Sequence, residues 1–220
     1  MLEDQKGIAF RVMTEGDMAI STMLLAKEFA NNDPLAVALN LSVCEMEEMI
    51  QPLLRAALAE QLSVVAYDPT DPDKILGCIL SKKLGASVET AWSDDITHRF
   101  GAVFGLIDEL HHRYFIDDAS LGGQKLVHEA MVATDAATAG RGVAQGLLRA
   151  SAANGKLRGY SGAVAELTGP ISQHVFINKH GYLPVAKVNY RSFKFRGVEP
   201  FASIGSVDSC VLAIKSYCDS

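Results

Sequence analysis

Cysteine is scarce and unpatterned in this chain: Cys44, Cys78, Cys210 and Cys218 form no CxxC pair and no Cys/His spacing of metal-ligand type. A disulfide framework and a zinc site are thereby disfavoured, and no metal is expected. Residues Met1 to Lys6 lack the basic-then-apolar plan of a signal peptide, and no apolar run reaches the roughly 20 residues needed to span a bilayer. The expectation is a cytoplasmic protein with no membrane partner. Positive charge is not in excess either, since 20 Lys and Arg face 26 Asp and Glu for a net charge of −6. That balance argues against a nucleic-acid partner, and the sign of the field favours a cationic ligand. Internal repeats, low-complexity tracts and flexible linkers are also missing.

What is present is a chain of 220 residues, 49% of them hydrophobic, enough to bury one substantial core. A single domain over 1–220 is expected. Ile8 to Val12 alternates like a half-buried strand, and Glu15-Gly16-Asp17 offers a turn and an N-cap for a helix over Met18 to Phe29. Ser42 to Glu45 has capping-box spacing ahead of the stripe Met46, Met49, Ile50, Leu53 and Leu54, with Pro52 as a candidate kink. Leu62 to Tyr67 and Ile75 to Leu80 read as a hairpin closed by Asp68 to Asp73. Phe100, Val103, Phe104, Ile107, Leu110 and Tyr114 mark one face of a helix of about 18 residues. Later come a strand over Gly162 to Leu167 and a helix opened by Thr168-Gly169-Pro170. This order predicts an α/β fold with a mixed, mostly antiparallel sheet and helices on both faces.

The most telling stretch runs from Thr134 to Ala144. It joins the buried strand Leu126 to Val132 to a helix marked by Ala144, Leu147, Leu148 and Ala152. Gly140 and Gly142 let the backbone bend sharply, while the free N–H groups of the following helix point outward at the positive end of its dipole. An anion such as a pyrophosphate suits that turn. No Gly-Lys-Ser/Thr follows, and Gln145 stands where GxGxxG would place its third glycine, so nucleoside-triphosphate and dinucleotide readings weaken.

Ala139-Gly140-Arg141-Gly142-Val143-Ala144 resembles the acetyl-CoA pyrophosphate loop of the GNAT superfamily of N-acetyltransferases, Arg/Gln-x-x-Gly-x-Gly/Ala, with Ala139 in place of the Arg or Gln. Further blocks are similar to the arylalkylamine N-acetyltransferase branch. They are Phe29 to Leu35 with its acidic-Pro-Leu segment, Leu62 to Leu80, Thr97 to Tyr114, and Ile171 to Tyr182 ending Lys179-His180-Gly181-Tyr182, with Val185 to Phe193 and Ser209 to Ser216 as the closing strands. The resemblance implies a central sheet splayed where the cofactor binds. It also implies acetyl-CoA as cofactor, held by amides around Met131, Val132 and Thr134 and by the loop Ala139, Gly140, Arg141, Gly142, Val143 and Ala144. The implied acceptor is a small arylalkylamine-like primary amine, attacking directly in a ternary complex. Another amine (a polyamine, an amino sugar, a lysine-type group) and a non-catalytic CoA-binding module are the alternatives. Oligomeric state is not legible, and a homodimer stays open.

Acetyl transfer to an amine needs a proton acceptor, and Asp33 falls where the family often has a glutamate in that role; an Asp-Pro pair also simply makes a turn. Ser172 is the candidate hydroxyl for the leaving thiolate, against a helix-capping reading. The interval from Ser172 to Gly181 is one residue longer than the family pattern, and Thr168 competes for the role. His128 and Glu129 sit on opposite faces of the cofactor strand, so one of them turns toward the substrate cleft. His128 is taken as a substrate-binding candidate beside a buried, partnered alternative. Tyr190 and Phe193 are pocket-wall candidates by family position. His111 and His112 suit the C-terminal end of the long helix, whose dipole favours a cation there. The Phe100, Phe104 and Tyr114 stripe is either core or an aromatic pocket.

Overall fold

A computed structural model describes residues 7–85, 92–115 and 125–217. Met1 to Lys6 and Cys218 therefore lie outside the described residues. The chain builds one seven-stranded sheet in the order β1-β2-β3-β4-β5-β7-β6. Its strands are β1 (Ala9–Val12), β2 (Val64–Asp68), β3 (Asp71–Lys83), β4 (Leu126–Thr134), β5 (Gly162–Leu167), β6 (Leu183–Asn189) and β7 (Ser209–Ser216). All neighbours pair antiparallel except β4 and β5. Parallel neighbours need a long crossover, and the helix between them supplies it.

The helices are α1 (Met18–Asn32), α2 (Pro34–Ala38), α3 (Val43–Glu60), α4 (Asp94–Arg99), α5 (Gly101–Tyr114), α6 (Val143–Leu157) and α7 (Pro170–Gln173). Apolar side chains of α6 meet one face of the sheet, where Leu147, Leu148 and Ala150 join Phe10, Ile79, Val127 and Ala163. The opposite face carries two clusters. One packs Leu25, Met46, Ile50 and Leu54 of α1 and α3 on Val65, Cys78 and Leu80; the other packs Leu106 and Leu110 of α5 on Val164, Val188 and Leu212. The sequence thus yields the expected sheet with helices on both faces. No described helix is long and apolar enough to cross a membrane.

The capping box before α3 forms as the spacing predicts, with Glu45 N–H donating to the Ser42 hydroxyl and the Ser42 N–H to the Glu45 carboxylate (2.8 Å). Four expectations need correction. The long helix is two: α4, capped by Ser93, and α5, separated at Phe100. The break lets Ile96 and Phe100 enter the cluster under α1 and α3 while Ala102, Leu106 and Leu110 enter that over β5 and β7. The hairpin turn is only Pro69-Thr70, held by Thr70 bonding to Asp68 Oδ1, and Asp71 to Asp73 already belong to β3. Asp17 occupies the N-cap position of α1, but its carboxylate turns back to Thr14 and Arg11. Finally, β6 ends at Asn189, so Tyr190 and Phe193 lie beyond it.

Candidate active site

β4 and β5 pair only through Leu126↔Gly162, Val127↔Ala163 and His128↔Val164. Beyond that point the strands part, and among the described residues the β4 edge facing β5 has no strand partner from Glu129 to Thr134. The cause is visible on the other edge of β4, where Leu80 pairs with Met131 but Ser81 pairs with Glu129. Ala130 is the extra residue of a bulge, a feature that bends a strand and redirects its side chains. Upstream of the bulge Val127 packs toward α6; downstream Met131 and Ala133 pack toward α1 and α3. Two central strands that start paired and then diverge leave a fork lined by backbone donors and acceptors.

The glycine loop closes the open end of this fork. Asp135 to Thr138 makes a short 3₁₀ turn, and Gly140 (φ +77°) and Gly142 (φ +81°) are both left-handed, a backbone that favours glycine. A Cβ built on either meets nothing within 4 Å, so the surface above them is open. No side chain caps α6 at Gly142, so the amides of Val143, Ala144 and Gln145 keep the outward orientation that binds anions. Ala139, Gly140 and Arg141 are exposed, Val143 is buried and Ala144 half-buried. Met131 is buried, while Val132 and Thr134 are half-buried on the diverging stretch of β4.

Asp33 lies at the α1–α2 junction. Its Oδ1 accepts from the amides of Leu35 and Ala36 (3.0 Å each), and its Oδ2 accepts from the Thr168 hydroxyl (2.5 Å). The turn reading and a chemical environment thus coincide. Burial pushes its pKa up, partly opposed by the Thr168 hydroxyl and the two amides, with a net rise. Thr168 also carries the carbonyl that accepts from the Tyr190 hydroxyl (2.6 Å). Tyr190 is fully buried at this junction, and Phe193 stacks on Phe201. Ser172, by contrast, is bound to the backbone of Gly169: its hydroxyl accepts from the N–H (3.2 Å) and donates to the carbonyl (3.0 Å). A π turn over His174–Lys179 precedes Gly181. Thr168, not Ser172, is therefore the hydroxyl in contact with Asp33.

His128 and Glu129 do face opposite ways. Glu129 is buried on the α6 side and accepts from the Tyr182 hydroxyl. Burial pushes its pKa up to about 7, against the hydrogen bond of Tyr182 and the charge of Lys215. His128 turns toward α5, where Nε2 meets Glu166 Oε2 (2.7 Å); Nε2 of His111 meets Oε1 of the same carboxylate (2.5 Å). Burial pushes Glu166 up, but the charge and hydrogen bonds of the two imidazoles hold it well below the usual carboxylate range. Only His112 keeps the helix-end role, donating from Nδ1 to the Asp108 carbonyl (2.9 Å). Glu166 escaped the sequence reading because its partners stand 38 and 55 positions away; Ala163, Ala165 and Leu167 pack on the α6 side of β5, which leaves Glu166 on the other. The aromatic stripe is core: Phe100 is buried and Phe104 stacks on Trp92 (4.8 Å). Cys78 and Cys210 are no nucleophiles, since burial pushes the first up to about 12 and the second well above its ordinary value.

No family model matches the chain. Solved structures do. The C-terminal condensation domain of Ebony, in complex with β-alanyl-dopamine, is 14% identical with a TM-score of 0.83, over 95% of this chain and 98% of that one. Arylalkylamine N-acetyltransferase 2 from Aedes aegypti is 17% identical with a TM-score of 0.74, over 97% and 100%. The Drosophila melanogaster polyamine N-acetyltransferase, which forms N-acetylagmatine, is 13% identical with a TM-score of 0.74, over 95% and 99%. With its forked parallel pair, bulged β4 and glycine loop, this chain has the fold that these structures share, the GNAT fold.

Proposed function

We propose that the protein is an acetyl-CoA-dependent N-acetyltransferase acting on a small primary amine of arylalkylamine type. The observation that carries this reading is the fork itself: an unpaired β4 edge leading to a left-handed Gly140/Gly142 turn and the uncapped amides of α6. Those residues fit a nucleotide-linked thioester, with Gly140 to Ala144 holding the pyrophosphate and Met131, Val132 and Thr134 lining the pantetheine and acetyl portion. Acetyl-CoA supplies the activated acetyl group when bound. The chain's part is to hold it still, exclude water and manage protons. The amine nitrogen bonds to the acetyl carbon as the carbon–sulfur bond breaks. Asp33, with its pKa raised, takes the ammonium proton directly or through water, and Thr168 orients its carboxylate. The Ser172 hydroxyl, one turn farther on, is the proposed donor to the departing sulfur.

A polyamine-type acceptor is the second reading. It is favoured by the carboxylate of Asp33 and by the net charge of −6, whose field suits a cation. Incubating the protein with acetyl-CoA and a panel of arylalkylamines, polyamines, amino sugars and lysine-type amines, with release of free CoA thiol as readout, separates these cases. Release with phenylethylamine-like or indolylethylamine-like acceptors supports the first; release only with agmatine or longer polyamines moves the assignment. CoA binding with no release from any amine would overturn both in favour of a non-catalytic module.

A further inference from the structure

We propose that the His128–Glu166 pair is a clasp that fixes how far the fork opens, which makes Glu166 a positioning residue for the cofactor. The inference rests on the reading that acetyl-CoA occupies that fork. His128 is the last β4 residue whose backbone pairs with β5, opposite Val164. Glu166 lies two positions beyond Val164, on the same face of β5. The side-chain bond between them begins where the backbone ladder ends, and it crosses the vertex of the fork.

The chemistry of the contact makes it directional. An ionised carboxylate only accepts, so both imidazoles present Nε2–H to Glu166, one from β4 and one from α5. The Glu166 side chain is 5% exposed, against 13% for His128 and 26% for His111. A carboxylate this buried depends on its donors, and loss of the β4 donor removes the side-chain tie between the parted strands. His111 anchors the same carboxylate to α5, and it meets β4 only through an edge-on ring contact with His128 (6.0 Å between centroids), with no hydrogen bond between the two rings. The two histidines, chemically alike, should therefore differ in their effect on the cofactor.

The test titrates CoA by calorimetry into the unaltered protein and four variants, with circular dichroism to confirm folding. His128→Ala and Glu166→Ala should each weaken CoA binding by about tenfold or more, and His111→Ala by less than about threefold. Glu166→Gln keeps a carbonyl acceptor for His128 and should restore most of the loss. In acetyl transfer the expected signature is a raised KM for acetyl-CoA with kcat little changed. Unchanged CoA affinity in His128→Ala, equal losses in the two histidine variants, or a fall in kcat at unchanged KM would each overturn the clasp. If Glu166→Ala does not fold, the His128 and His111 comparison decides alone. Failure of the unaltered protein to bind CoA would overturn the cofactor reading and the clasp together, whereas the other outcomes leave that reading standing.

Discussion

Asp33 has a place in the fold and is also the proposed base. Oδ1 caps α2 and Oδ2 takes the Thr168 hydroxyl, so about one of the carboxylate's four acceptor positions is left for a proton or a water. Asp33→Asn keeps a capping oxygen and removes the base, and should lower kcat by about 10²- to 10⁴-fold while leaving CoA binding intact; steady-state kinetics beside calorimetry would show the split. A loss confined to stability would reduce Asp33 to a cap. At the loop, Gly142→Ala meets no atom but must hold φ +81°. The cost is strain of about 1–2 kcal/mol in the left-handed region, expected as weakened CoA binding in the same titration. The glycine pair was legible because its signal is local: two residues and the helix after them. Glu166 was not, and Thr168 stood only as a competitor of Ser172, because their contacts arise only when β5 is laid beside β4 and the α1–α2 junction.

Elements differ in how openly their sequences announce them. The β5 strand and the capped start of α3 fall where the residues place them, and β7 where the family resemblance does. Periodicity alone ran through the break at Phe100, since Ile96, Phe100 and Leu106 all face inward, though into different clusters. Backbone hydrogen bonding, which side-chain pattern does not report, also decided the length of β3 and the π turn after α7. The docking of α6 depends on a close approach at Gly146, where an added Cβ would stand 2.2 Å from the Phe10 ring. Gly146→Ala should therefore push α6 from β1 and destabilise the protein by about 1–3 kcal/mol, measurable by denaturant unfolding. A neutral effect would mean that Phe10 has room to move.

For the molecule as a whole, sheet type and helix layers were readable from element order, and the place of the fork followed from the family resemblance. Its mechanism, a bulge at Ala130 and pairing that stops at His128, required coordinates. Global stability carries a further mark of this strand. Glu129 titrates near 7 in the folded protein against 4.5 for the free side chain. A carboxyl raised in this way favours the folded state fully below pH 4.5, and that contribution is lost as pH rises to about 7, by roughly 3 kcal/mol. Thermal unfolding should thus be easier at pH 8 than at pH 5, and Glu129→Gln, which keeps an acceptor for Tyr182, should flatten that difference; equal slopes in both proteins would refute the assignment. The most direct test of the central claim is mass analysis of phenylethylamine after incubation with acetyl-CoA and the purified protein. Transfer of one acetyl group to the amine, with equimolar CoA thiol released and none without the protein, is the predicted result. An unmodified amine with intact acetyl-CoA, from a protein that binds CoA, would contradict it.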